Sequence, residues 1–111
     1  MIRFPKPVVV GVNGHAVGDG VGIALIGDTI VAAESAKFMA GFFRLGVVPD
    51  IGVMYTLPRL IGMARAKAFI FENQTWSASE AHEKELVAAV VTDDQLDAAC
   101  LMRAYAFAAG P

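Results

Sequence analysis

The 111 residues are 56% hydrophobic and only 18% charged, with nine Lys and Arg against eleven Asp and Glu and a formal net charge of -2. That length sets one domain at most, the apolar content excludes a disordered chain, and the scattered cations, which form no basic stripe, exclude a nucleic-acid partner. A mean hydropathy of +0.54 is high for so small a globule, so part of its apolar surface needs cover from something else.

In chain order, residues 7–12 (PVVVGV) are apolar on both faces and predict a buried strand. Gly14, Gly18, Gly20, Gly22 and Gly27 then crowd into a loop of close backbone approaches, where Asp19 is placed to cap a short helix over residues 20–26. Residues 29–33 (TIVAA) predict a second strand, Glu34-Ser35 a turn, and residues 36–38 a short return strand. The irregular aromatic stretch 42–49 reads as a loop lining a pocket. Helices are predicted over 51–60, broken at Pro58, and over 63–71, with Arg65 and Lys67 on one side. Ser77-Ala78-Ser79-Glu80 is a capping box that starts a helix at Ala78, with Trp76 as its hydrophobic staple. Residues 87–91 predict a strand, and Asp93-Asp94 open a last helix reaching about Ala108, where Cys100 and Leu96 share an inner or subunit-contact face. Strands and helices in this order give an α/β fold.

The run Val12-Asn13-Gly14-His15-Ala16-Val17-Gly18-Asp19-Gly20-Val21-Gly22 invites three readings. A dinucleotide fingerprint needs G-x-G-x-x-G directly after a strand. Gly18 and Gly20 satisfy its first positions, but Ile23 stands at the third and five residues intervene. A phosphate loop needs a Gly-Lys-Ser/Thr ending, and the segment holds no Lys. The third reading is an oxyanion site, in which a strand turning into a helix through Gly18-Asp19-Gly20 aims backbone N–H groups at one spot, at the positive end of the helix dipole. Such donors hold a thioester oxygen as it gains charge. The same glycines would equally serve tight packing of helix on strand, and spacing alone leaves these two open.

The blocks KPVVVGVNGHAVGDGVGIALIGD, AESAKF, LGVVPDIG, LPRLIGMARAKAF, WSASEA and ELVAAVV, in this order and at this spacing, resemble the enoyl-CoA hydratase/isomerase (crotonase) superfamily across residues 6 to about 105. The resemblance implies a partial crotonase-like (ClpP/crotonase) spiral of strand-strand-helix units followed by helices, with residues 1–111 forming the central and C-terminal-side portion of one domain. It implies an acyl-CoA thioester as substrate, with coenzyme A carried by the substrate and no separate cofactor, and a homotrimer or hexamer at full length. An earlier block resembling Ala-Phe-x-Ala-Gly-x-Asp, which would bring the first oxyanion donor, and the C-terminal helices are expected to lie outside this chain. Little isomerase activity is therefore expected of these residues alone.

Carried over position by position, the resemblance makes the backbone N–H of Asp19 the second oxyanion donor, although a glycine is usual there. It places Val17, Gly18, Asp19, Gly41, Phe42 and Asp50 around the substrate. The two glutamates that activate water in the family's hydratases correspond to Gly22 and Phe42. Neither accepts a proton, so two-carboxylate hydration is not supported. Asp50, in Val48-Pro49-Asp50-Ile51-Gly52, matches the aspartate of dienoyl-CoA and ring-epoxide isomerases and is the candidate acid/base; its alternative role is a helix N-cap. Aryl-CoA dehalogenases of the superfamily also place an aspartate there as nucleophile, and Phe38, Phe42, Phe43 and Tyr55 would suit an aryl group. A non-catalytic acyl-CoA-binding module is a further reading, from the lost glutamates.

The remaining candidates are weaker. His15 is expected to pack beside the strand, His82 to lie on the surface, Glu34 to serve the turn, and Arg59, Arg65 and Lys67 to be solvated. No Cys/His cluster has metal-ligand spacing, so no metal is expected. Without a run approaching the roughly 20 residues of a membrane span, or an N-terminal signal pattern, the reading is no membrane and a cytoplasmic or organelle-matrix location.

Overall fold

The computed structural model describes residues 6–41 and 51–110. Two short strands open it: Val9–Val12 (β1) and His15–Val17 (β2), joined through Asn13-Gly14 and followed by helix Asp19–Ala24 (α1). The next unit repeats the plan with Thr29–Ala33 (β3) and Lys37–Met39 (β4). Helices Ile51–Ile61 (α2) and Met63–Phe71 (α3), strand Thr75–Ser77 (β5), helix Ala78–Glu83 (α4) and strand Ala89–Val91 (β6) come next. A single 3-10 turn at Asp93–Gln95 leads into the last helix, Leu96–Ala109 (α5).

Among the described residues the strands form two three-stranded sheets, in the orders β1-β3-β6 and β2-β4-β5. In the first, all neighbours are parallel, with Val10 opposite Ile30 and Ala32 opposite Val90. In the second, β2 and β4 are parallel, with Ala16 opposite Phe38, whereas β5 runs antiparallel with Trp76 opposite Phe38. The return strand expected after Glu34-Ser35 is therefore corrected. β4 does not fold back on β3 but leaves its sheet at the corner and pairs with β2. The cause is the repeated bend: β1 turns at residues 13–14 and β3 at residues 34–36, so successive units stack first strand on first strand and second on second. At the level of the corner, the Lys37 N–H donates to the Gly14 carbonyl at 3.1 Å, which joins the two bends.

Specific hydrogen bonds hold the strand starts, a corner and a helix start. Asp28 Oδ2 accepts the Val8 N–H at 2.7 Å, while the Val8 carbonyl accepts the Asp28 N–H at 2.8 Å. Both Ser35 donors reach Asp93, the hydroxyl at 2.6 Å and the backbone N–H at 3.1 Å. These bonds keep the Asp93 carboxyl below the ordinary carboxylate range. The capping box is present as read: the Glu80 N–H donates to Ser77 Oγ, and the Ser77 N–H donates to Glu80 Oε1.

Between the sheets and helices lies one main core, centred on Val21, Leu57, Phe38, Phe69 and Trp76. The Trp76 ring packs at 4.5 Å from that of Phe69, and its indole N–H finds Gln74 Oε1 at 3.0 Å, so the polar edge is satisfied despite burial. The far face of the first sheet is covered by α5, where Leu96, Ala99 and Cys100 pack on Val31 and Ala33. This contact requires Gly11, because a Cβ there would stand 2.8 Å from Cys100 Sγ. Cys100 is thus a packing residue whose thiol pKa is raised by burial.

Two further expectations change. Pro58 does not break α2, which continues through it to Ile61 and stops at Gly62. The strands β2 and β5 were not foreseen, since three residues of mixed polarity carry too little alternation to register.

Candidate functional site

The second sheet delivers the candidate site. β2 ends at Val17, and the chain reverses at Gly18 (φ 54°, ψ -114°) to begin α1 at Asp19. Side chains avoid this region of backbone space, so the turn requires glycine. The Gly18 N–H is committed to the Met39 carbonyl at 2.9 Å, and the Gly18 carbonyl accepts the Val21 N–H at 3.0 Å, closing the first helical turn. Asp19 is the first residue of the helix, where N–H groups have no partner within the helix itself.

Gly41, two residues past the end of β4, faces this turn. Its φ is +67°, and a Cβ built on it would lie 2.9 Å from Val17 Cγ1 and 4.0 Å from the Gly18 backbone nitrogen. Val17, Gly18 and Gly41 therefore stand in one place, with Asp19 next along the chain. Four of the six positions expected around the substrate are brought together. Phe42 and Asp50 lie outside the described residues.

The Gly41 N–H donates to Asn73 Oδ1 at 2.8 Å, and the Ala40 N–H donates to the Gln74 carbonyl at 3.0 Å. The loop between α3 and β5 thus backs the candidate site, and Asn73 is a residue that the sequence reading passed over. Its signal was local: an Asn following Glu72, where a helix of the predicted length ends.

Other candidates fall elsewhere. Gly22, which the resemblance sets against a hydratase glutamate, sits within α1. His15 lies in β2 rather than beside a strand, with an exposed side chain, and borders an open hollow of about 260 Å3 with Asn13, Gly20 and Ile23. His82 is exposed in the last turn of α4, as read. It borders a hollow of about 370 Å3 with Asp28, Leu60 and Glu85. Glu34 occupies the corner, its N–H donating to the Val91 carbonyl. Arg59 is not simply solvated: its guanidinium lies 3.5 Å from the centre of the Tyr55 ring and donates to the Tyr55 carbonyl at 2.7 Å. Phe38, once a candidate for an aryl pocket, is 1% exposed and fully spent in the core against Trp76. Among the described residues, no group of three or more His, Cys, Asp or Glu is placed to hold a metal ion, and no helix is long and apolar enough to cross a membrane.

The family model for enoyl-CoA hydratase/isomerase matches residues 1–111. The chain belongs to the enoyl-CoA hydratase/isomerase family. Among this family's members, the 1,2-epoxyphenylacetyl-CoA isomerase of Escherichia coli K12 is 44% identical over 96 residues, covering 86% of this chain and 37% of that protein. The crystal structure of an enoyl-CoA hydratase from Mycobacterium avium superposes with a TM-score of 0.93 at 32% identity, over 99% of this chain and 49% of that one. A Thermobifida fusca YX protein of the enoyl-CoA hydratase kind, in complex with acetoacetyl-CoA, has a TM-score of 0.88 at 33% identity, over 93% of this chain and 40% of that one. The chain thus spans less than half the length of each of these relatives. The crotonase-type α/β fold expected from the sequence blocks is the observed one.

Proposed function

We propose that this chain carries part of the site of an acyl-CoA isomerase, which shifts a double bond or opens a ring epoxide through an oxyanion-stabilised enolate. The observation that carries this reading is the Gly18 turn. It starts a helix at Asp19 beside Gly41, with a glycine at position 22 where a hydratase would need a carboxylate. A reaction that moves a proton without adding water needs an oxyanion donor and one acid/base, and the chain retains candidates for both.

In the proposed cycle the Asp50 carboxylate removes a proton from the carbon next to the thioester carbonyl, or from its vinylogue. The electron pair passes to the thioester oxygen, which the Asp19 N–H stabilises. The proton held by Asp50 then returns to a different carbon as the electron pair falls back. No atom is gained or lost. Likeness to the E. coli isomerase supports this reading, and the acetoacetyl-CoA complex of the T. fusca relative supports an acyl-CoA thioester as substrate.

The test is Asp50→Asn in the natural protein at its full length, assayed for migration of the double bond of a 3-enoyl-CoA. The expected result is a loss of turnover of at least about 100-fold with acyl-CoA binding retained. Normal turnover would reduce Asp50 to a helix cap. Halide release from a halobenzoyl-CoA would favour the dehalogenase chemistry, and binding without incorporation of solvent deuterium would favour a non-catalytic acyl-CoA module.

A further inference from the structure

Asn73 combines two features that need not coincide. It is the left-handed residue that ends α3, with φ 52°. Around it, the Glu72 N–H bonds the Ala68 carbonyl, the Asn73 N–H bonds the Ile70 carbonyl at 3.3 Å, and the Gln74 N–H bonds the Phe69 carbonyl at 3.0 Å. These last two bonds are the nested pair of a Schellman motif, whose left-handed position is most often glycine. For the helix ending alone, glycine would serve at least as well, since a side chain at positive φ adds strain.

The side chain is what glycine would lack, and it is engaged. Asn73 Oδ1, in a partly buried position, accepts the Gly41 N–H at 2.8 Å. Gly41 is itself at positive φ and is packed against Val17 and Gly18. One hydrogen bond therefore ties the end of α3 to the point where β4 meets the glycine turn.

We propose that Asn73 is a positioning residue of the acyl-CoA site, holding Gly41 against the Gly18–Asp19 turn so that the backbone oxyanion donor keeps its place. This rests on the isomerase reading above. Asn73 touches neither substrate nor reacting atoms in this scheme; it acts through Gly41. Small displacements of a reacting group far exceed their structural size in rate, because alignment is lost before binding is.

The experiment compares Asn73→Gly and Asn73→Asp with the natural protein at full length, following double-bond migration of 3-hexenoyl-CoA and the thermal midpoint. Glycine fits the left-handed backbone but removes the acceptor, and aspartate keeps an acceptor oxygen in the same place. Asn73→Gly is expected to lower kcat by roughly 10- to 100-fold with KM changed by less than about threefold, and Asn73→Asp to recover most of kcat. Turnover by Asn73→Gly within about twofold of the natural protein overturns the proposal while the isomerase reading stands. Equal loss in both variants, or loss of folding in the glycine variant, reduces Asn73 to a structural residue and also overturns it. A natural protein that leaves 3-hexenoyl-CoA unchanged, in both bond position and deuterium content, overturns the double-bond form of the isomerase reading and this proposal with it.

Discussion

Gly18 is constrained by its backbone angles, and its neighbour Gly20 provides the control. At Gly18 both backbone angles lie where a Cβ collides with its own chain, while a Cβ on Gly20 would meet nothing within 4 Å. Gly18→Ala should destabilise the fold by about 1–3 kcal/mol, the usual cost of holding an L residue in such a region. It should also displace the Asp19 N–H and lower turnover. Gly20→Ala, inside α1, should leave stability unchanged or raise it by up to about 1 kcal/mol, because alanine favours helix. Chemical denaturation of the two variants checks both signs, and similar midpoints would show that the turn at Gly18 is not strained by a side chain. Phe38 teaches a related lesson. Its aromatic ring suggested an aryl-binding wall, but its register opposite Trp76 commits it to the core.

At the scale of elements, the corners between the two sheets determine what the strands can do. The Ser35–Asp93 pair ties the β3–β4 corner to the turn before α5, so one carboxylate links two distant parts of the chain. Because these hydrogen bonds lower the Asp93 pKa in the folded state, the carboxylate stabilises the fold at pH values above the ordinary carboxylate range. That contribution disappears as the pH falls through the lowered folded value. Glu80 behaves in the same sense, its pKa lowered by Ser77 in the capping box. Asp93→Asn is therefore expected to flatten the acid side of the stability profile, with thermal midpoints converging on those of the natural chain below about pH 4. A parallel profile, offset equally at every pH, would place the effect of the substitution in packing instead. The continuity of α2 through Pro58 has a similar explanation at this scale. Leu57 and Ile61, on either side of the proline, are buried in the main core and keep the helix in line.

At the scale of the whole molecule, the apolar excess noted at the outset has locations. Ile23 on α1 and Leu101, Met102 and Tyr105 on α5 are all more than half exposed. Within α5, Leu96, Ala99 and Cys100 face the sheet, whereas Leu101, Met102 and Tyr105 present a second apolar face outward. Among the described residues β1 and β2 are also sheet edges, each bonded to a neighbouring strand on one side only. Open edges and an apolar helix face favour association. The 111-residue chain by itself is therefore expected to associate as its concentration rises, as read by sedimentation velocity. A monomer that persists to high concentration and unfolds cooperatively would show that these surfaces need no cover.

The residue order alone determined the features that depend on near neighbours. The capping box at Ser77, the helices beginning at Ile51 and Met63, the strand at Thr29–Ala33 and the α/β order all follow from propensities and hydrogen bonds within a few residues. The blocks from Lys6 to Val91 also specified the family and named Val17, Gly18, Asp19 and Gly41, which the fold brings together. Only tertiary structure decided which strand lies beside which. The pairing of residues 9–12 with 29–32, and of 31–33 with 89–91, joins segments too far apart for any local pattern to register. Strands as short as His15–Val17 and Thr75–Ser77 exist because a neighbour supplies their hydrogen bonds, not because their own residues demand it. Asn73 belongs to the same class. Its position at a helix end is a local matter, but its bond to Gly41 spans 32 residues and arises only when the second sheet is assembled.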